Sequence, residues 1–165
     1  MNEVAKKRGL PWWAWVLIAL AALFPIMGIL SALAIYGVSK YVKNAKASEA
    51  RSVVPVLANG IARCSASGLP PTSNAVPSAA PPGKKYQSAA TDWSSQPAFR
   101  CAGFALTEPQ YFSYRWQLES PTRGLVIALA DLNGDGVPDM DFEQPVECSA
   151  GSGCTAGALR ELRGP

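Results

Sequence analysis

The sequence predicts an α+β fold: a long N-terminal transmembrane helix whose outer half packs on a small antiparallel β-sheet. Three observations carry this expectation. From Leu10 to Ser39 there is no Asp, Glu, Lys or Arg. Helical spacing of apolar residues then continues beyond the first lysines, as far as Ile61. After residue 98 the pattern changes to short strand-like segments, one of them of period two and one nearly all apolar, separated by turn residues.

The elements follow in chain order. Residues 1–9 form a basic leader with Lys6, Lys7 and Arg8, placed on the cytoplasmic side. Residues 10–39 form the span. At about 1.5 Å per residue this stretch exceeds the roughly 30 Å of bilayer hydrocarbon, and it is too long for the apolar region of a secretory signal peptide. The competing reading is a buried core helix. Trp12, Trp13 and Trp15 at the start and Tyr36 and Tyr41 near the end fit aromatic belts at the two interfaces. Pro25 should kink the helix locally. Gly28, Ser31 and Ala32 are small enough to permit close helix packing, or they simply face lipid.

Residues 40–63 form the outer half of the same helix. Val38, Tyr41, Val42, Ala45, Val53, Leu57 and Ile61 keep roughly helical spacing, while Lys40, Lys43, Lys46, Glu49 and Arg51 fall mostly on other faces. Pro55 should bend the helix or end its first stretch. An apolar stripe outside the membrane needs a covering partner. Residues 64–98, with Pro70, Pro71, Pro77, Pro81 and Pro82 among Ser, Ala and Gly, read as a long loop with extended proline-rich stretches.

Residues 99–165 read as the antiparallel head. Strands are expected at Phe99–Leu106, Tyr111–Leu118, Gly124–Ala130 and Met140–Val146. The second has Phe112, Tyr114, Trp116 and Leu118 on one face and Tyr111, Ser113, Arg115 and Gln117 on the other. Short connections make neighbouring strands antiparallel. The apolar sheet face and the helix stripe can then cover each other.

Basic residues on both sides of the span leave its orientation open on charge alone. The cysteines decide it. Cys64, Cys101, Cys148 and Cys154 all follow the span, and an even set in a small domain implies disulfides and an oxidising compartment; four free buried thiols are the alternative. The N-terminus is therefore placed in the cytoplasm and the rest outside it. Net charge is only +3. The basic residues cluster beside the span, where lipid headgroups account for them, and no basic, aromatic patch points to nucleic acid.

Histidine is absent, which removes Ser-His-Asp and Cys-His catalysis and every His-containing zinc site. The cysteines form no Cys-x-x-Cys pair and no phosphate-binding glycine loop is present, so an enzyme is not expected. One segment carries chemistry: Asp131-Leu-Asn133-Gly-Asp135-Gly-Val137-Pro-Asp139. Oxygen side chains at positions 1, 3, 5 and 9, a Gly at 6 and the Val137 carbonyl match the start of a Ca²⁺ loop. Phe142 stands where the bidentate twelfth ligand would be. The plainer reading is a hairpin turn, because Asn133-Gly134 and Asp135-Gly136 are both strong turn dipeptides.

The run from Pro25 to Ile35, Pro-Ile-Met-Gly-Ile-Leu-Ser-Ala-Leu-Ala-Ile, followed by a Lys/Ala/Ser/Glu-rich stretch to Arg51, resembles the N-terminal helix of type IV pilins. Pro82–Gln87, the Trp93 to Cys101 region, Tyr111–Trp116 and Ala130–Gly136 resemble segments of deltaproteobacterial-type pilin-like proteins. The resemblance implies an inner-membrane, ladle-shaped subunit of a pilus or type II secretion pseudopilus, whose apolar helix packs against other pilin-like subunits and whose C-terminal loop is closed by a disulfide. It also implies a cleaved leader. A register starting from Lys6–Gly9 puts cleavage between Gly9 and Leu10; alignment on Gly28 puts it between Ala14 and Trp15. The family has a Glu at the fifth mature position, where this chain has Ala14 or Ala19. That departure supports a second expectation: a non-assembling anchor whose calcium-stabilised head is a binding module for a surface ligand.

Four cysteines allow three pairings. Cys148 and Cys154 flank a flexible Ser-Ala-Gly-Ser-Gly segment that closes easily, which leaves Cys64, at the helix end, with Cys101 in the first strand.

Overall fold

The computed structural model describes residues 11–163. The leader and the Gly9–Leu10 junction lie outside these residues. The chain divides into two compact units, Met1–Val42 and Lys43–Pro165. The α+β fold is as expected: a 53-residue helix α1 (Trp12–Cys64) and a six-stranded sheet in which every pairing is antiparallel.

Within the first unit α1 is exposed on all sides, and its large apolar side chains from Trp12 to Val42 have no cover. It is long and apolar enough to cross a membrane. The helix runs through Pro25 and Pro55 without ending. Ser31 donates its hydroxyl to the Met27 carbonyl at 2.8 Å, within its own helix.

The second unit is built on a sheet ordered β1-β2-β3-β4-β5, with β1 at Ser73–Val76, β2 at Ser113–Ser120, β3 at Arg123–Ala130, β4 at Met140–Ser149 and β5 at Gly153–Ala156. A sixth strand, β6 (Arg160–Arg163), pairs with the first residues of β4, whereas β5 pairs with its last ones. The expected inward set of β2 holds: Phe112, Tyr114 and Trp116 are buried and Leu118 is half-buried. Opposite them β3 presents Gly124, Val126 and Ala128. Gly124 is required by close approach, because a Cβ there would stand 2.4 Å from the Trp116 ring.

Three expectations are corrected. The stripe that covers the sheet is Ala47, Ala50, Val54, Leu57, Ala58 and Ile61, all fully buried. Leu57 and Ile61 were on the expected face, but Tyr41, Val42 and Ala45 are exposed and Val53 only flanks the core. Alanines win because a short side chain lets the helix lie close on a sheet that already carries Trp116, Tyr114 and Phe142.

Residues 99–106 are not a strand. Pro97 opens a short helix, α3 (Pro97–Ala102), and Gly103 in the left-handed region closes it. The Phe104 N–H reaches back to the Phe99 carbonyl at 2.9 Å. The apolar residues of this stretch pack as an aromatic cluster instead, with Trp93 5.2 Å from Phe99 and 5.4 Å from Phe104.

Residues 64–98 are also more ordered than a loop. They contain a 3-10 turn (Ser65–Ser67), β1 and the helix α2 (Ala90–Ser94). The Asp92 carboxylate accepts the Ala89 N–H at 2.9 Å, at the start of α2. Trp116 donates its indole N–H to the Pro70 carbonyl, Ser113 its hydroxyl to that of Pro77, and Gln110 its amide to that of Val76. The proline-rich chain is thus fastened to the sheet through its carbonyls, the backbone group that proline retains.

Both expected disulfides are present. Cys64, the last residue of α1, joins Cys101 in α3, with Cα atoms 5.7 Å apart. Cys148 and Cys154 face each other directly across β4 and β5.

Candidate functional site

The loop between β3 and β4 holds the residues that the sequence singles out. It joins adjacent antiparallel strands, as a hairpin connection does, and the Asp139 N–H closes it onto the Ala130 carbonyl at 2.9 Å. Gly134 and Gly136 take φ of 79° and 88°, values that favour glycine.

The acidic side chains bind the loop's own backbone. Asp131, buried, accepts the N–H groups of Gly134 (2.7 Å), Asp135 (3.2 Å) and Gly136 (2.9 Å). Asn133 accepts from the Asp135 N–H and donates its amide to the Asp135 carboxylate at 2.8 Å. Asp135 accepts the Val137 N–H, and this bond, followed by the one from Asn133, holds its carboxyl below the usual value. Asp139 uses one oxygen for the Leu132 N–H at 2.8 Å and the other for the Lys43 ammonium at 2.6 Å. Side chain–backbone bonds of this kind are how Asp and Asn build turns.

Of the expected metal ligands, Asn133 and Asp135 are brought into contact, Asp131 sits beneath them through the backbone, and Asp139 is turned to Lys43. Among the described residues no three His, Cys, Asp or Glu side chains form a group that could hold a metal ion.

Two lysines of α1 anchor this region. Besides the Lys43–Asp139 pair, the Lys46 ammonium donates to the carbonyls of Leu132 (3.2 Å) and Gly83 (3.3 Å), and lies 4.9 Å over the Tyr111 ring. A second α1 contact is absent from the sequence reading, which put Glu49 on a polar face. Its carboxylate accepts the backbone N–H groups of Tyr111 (3.0 Å) and Phe112 (3.3 Å) and the Tyr114 hydroxyl (3.0 Å). Burial first, then the Glu49 charge and this hydrogen bond, push the Tyr114 phenol far above its ordinary pKa. Arg51 forms a two-pronged pair with Glu161 of β6.

The helix-packing candidates Gly28, Ser31 and Ala32 lie in the exposed part of α1, with open space around the position a Gly28 Cβ would take. Compared with known proteins, the chain matches no family model, no curated protein and no solved structure.

Proposed function

We propose that this chain is a membrane-anchored, type IV pilin-like structural subunit of a pilus or type II secretion pseudopilus, with no catalytic role. The observation that supports the reading is α1. One unbroken helix exposes apolar residues on all sides in its first part and, in its last part, supplies a face of the core of an antiparallel, disulfide-linked head. A helix apolar all round needs lipid or other apolar helices around it, so the bilayer and neighbouring pilin-like helices are its partners. The disulfides support a head in the periplasm or outside the cell, with the N-terminus in the cytoplasm and the span in the inner membrane.

Crosslinking within the membrane tests this. Gly28→Leu and Ala32→Leu are expected to reduce crosslinks to pilin-like partners several-fold while membrane insertion stays intact, because Leu remains apolar but blocks close backbone approach. Unchanged crosslinking in both variants would remove the assembling role. Ala14 and Ala19, at the two positions where a pilin has its Glu, favour the second reading, a non-assembling anchor whose head is a binding module. Mass spectrometry of the mature N-terminus separates the two: an intact Met1 supports the monomeric anchor.

Calcium belongs to the proposal as a weak ligand. Three carboxylates, the Asn133 amide oxygen and the Val137 carbonyl within nine residues are a hard-oxygen set that suits Ca²⁺, but Lys43 already neutralises Asp139. Asp131, Asn133, Asp135, Asp139 and the Val137 carbonyl would hold the ion in competition with that ammonium. With a Kd of about 10⁻⁴–10⁻³ M, several millimolar calcium should stabilise the head by about 1–2 kcal/mol. Lys43→Met should increase that gain. Calorimetric melting that shows no shift with calcium in either protein reduces the loop to its turn function.

A further inference from the structure

We infer that the end of the Lys43–Pro165 unit formed by loops 82–86 and 131–139 is a docking surface for anionic lipid headgroups. The inference rests on the reading of residues 10–39 as a bilayer span.

The two loops are one structure. The Gly83 N–H donates to the Asp131 carbonyl at 2.7 Å, Pro82 and Asp131 form a parallel bridge, and a Cβ on Gly83 would stand 3.5 Å from Gly134. Lys46 ties both to α1 through the Gly83 and Leu132 carbonyls. Chain spacing limits the distance from the span. Lys46 follows Ser39, the last residue of the charge-free run, by seven residues, or about 10 Å of helix. The headgroup layer beyond each face of the hydrocarbon is about 5–8 Å thick. Loops bonded to Lys46 are therefore tethered by a short length of chain to the end of the charge-free run.

Their exposed side chains suit that layer. Lys84 and Lys85 are exposed, and Lys85 lies 5.3 Å over the Tyr111 ring. Tyr86 is 50% exposed, Val137 at the tip of the second loop 60%, and Pro138 beside it is exposed. Cations for phosphates with an aromatic and a small apolar tip beside them are the chemistry of an interfacial contact. The acidic residues of the second loop do not cancel this. Asp139 is paired with Lys43, Asp131 is buried among backbone N–H groups, and Asp135 is the exposed carboxylate.

The test uses the full chain in vesicles of phosphatidylcholine alone or with about one third phosphatidylglycerol. The four native cysteines being paired, Val137→Cys carries an environment-sensitive fluorophore. Thr122→Cys, in the turn at the other end of β3, is the control. Headgroup-labelled quencher lipid is expected to quench the Val137 probe at least about two-fold more than the control in anionic vesicles. Lys84→Ala with Lys85→Ala should erase most of that difference, and high salt should do the same. Equal quenching at the two positions, in a chain that floats with the vesicles, overturns the inference and leaves the anchor standing. A chain that does not float overturns both. Quenching that follows protein density and ignores lipid charge also overturns it, by making the surface a contact between copies.

Discussion

Replacing Cys64 and Cys101 with serine is expected to lower the stability of the full chain in detergent by about 3–4 kcal/mol, read as a drop in the melting transition of the near-ultraviolet signal from Trp93 and Trp116. The bridge spans 37 residues, and on the chain-entropy model a loop of that length restricts the unfolded chain by this amount. Its place in the fold adds a structural consequence. The closed segment contains the 3-10 turn, β1, α2 and most of α3, short elements that cannot stand alone. Their attachment is otherwise the short β1–β2 pairing, a handful of carbonyl contacts and the Trp93 cluster. Cys148–Cys154 closes only six residues and should contribute about 2 kcal/mol on the same model. A pair of variants with equal losses, or a larger loss at the short bridge, would show that the long bridge does not hold this part of the fold.

The same segment shows what the sequence made legible and what it hid. The long apolar helix, its continuation past the charge-free run, three of the strands and the Cys148–Cys154 pairing follow from local signals: a charge-free run, short β-like segments between turn residues and a flexible six-residue separation. Cys64–Cys101 is the pair that remains. The helix stripe differs because the expected face follows the large apolar residues and takes in Ala45 alone of the alanines, whereas Ala45 is exposed and other alanines form the covering face. Ala47, Ala50 and Ala58 are buried for their size, which a search for large apolar residues cannot detect. Phe99–Leu106 misled for the opposite reason. Its aromatic residues have β propensity, but Pro97 at the first helical position and Gly103 just past the last set a six-residue helix, and terminal signals outrank propensity in so short a segment. β1 and β6 have four residues each, so they acquire strand character only from the strands beside them. In the β3–β4 loop the Asp/Asn/Gly pattern is legible as a turn, and Asp131, Asn133 and Asp135 build it by accepting the loop's own N–H groups. Lys43, 96 residues from Asp139, enters only through tertiary structure.

Glu49→Ala is expected to cost about 3–4 kcal/mol, more than any other single polar replacement in the helix. The change leaves two backbone N–H groups and the Tyr114 hydroxyl without an acceptor, and an unpaired buried donor costs about 1–3 kcal/mol. Phe112 and Tyr114 are fully buried, so water cannot readily replace the carboxylate at all three. Glu49→Gln, which keeps an oxygen in place, should lose about half as much. The Tyr114 hydroxyl and Glu49 should be coupled: Tyr114→Phe in the Glu49→Ala background is expected to cost less than in the parent, because the donor it removes has already lost its partner. A pH test reads the same contact. The Tyr114 pKa is raised in the folded chain above its ordinary value of 10.0, so above that pH the unfolded chain gives up a proton that the folded chain keeps. Its contribution to stability is complete below pH 10 and lost as pH rises beyond it. Tyr114→Phe should flatten that part of the stability profile. Alkaline melting curves with the same slope in parent and variant would show that the phenol is not held by Glu49 in this way, and additive losses for Glu49→Ala and Tyr114→Phe would show that the two side chains do not act as a pair.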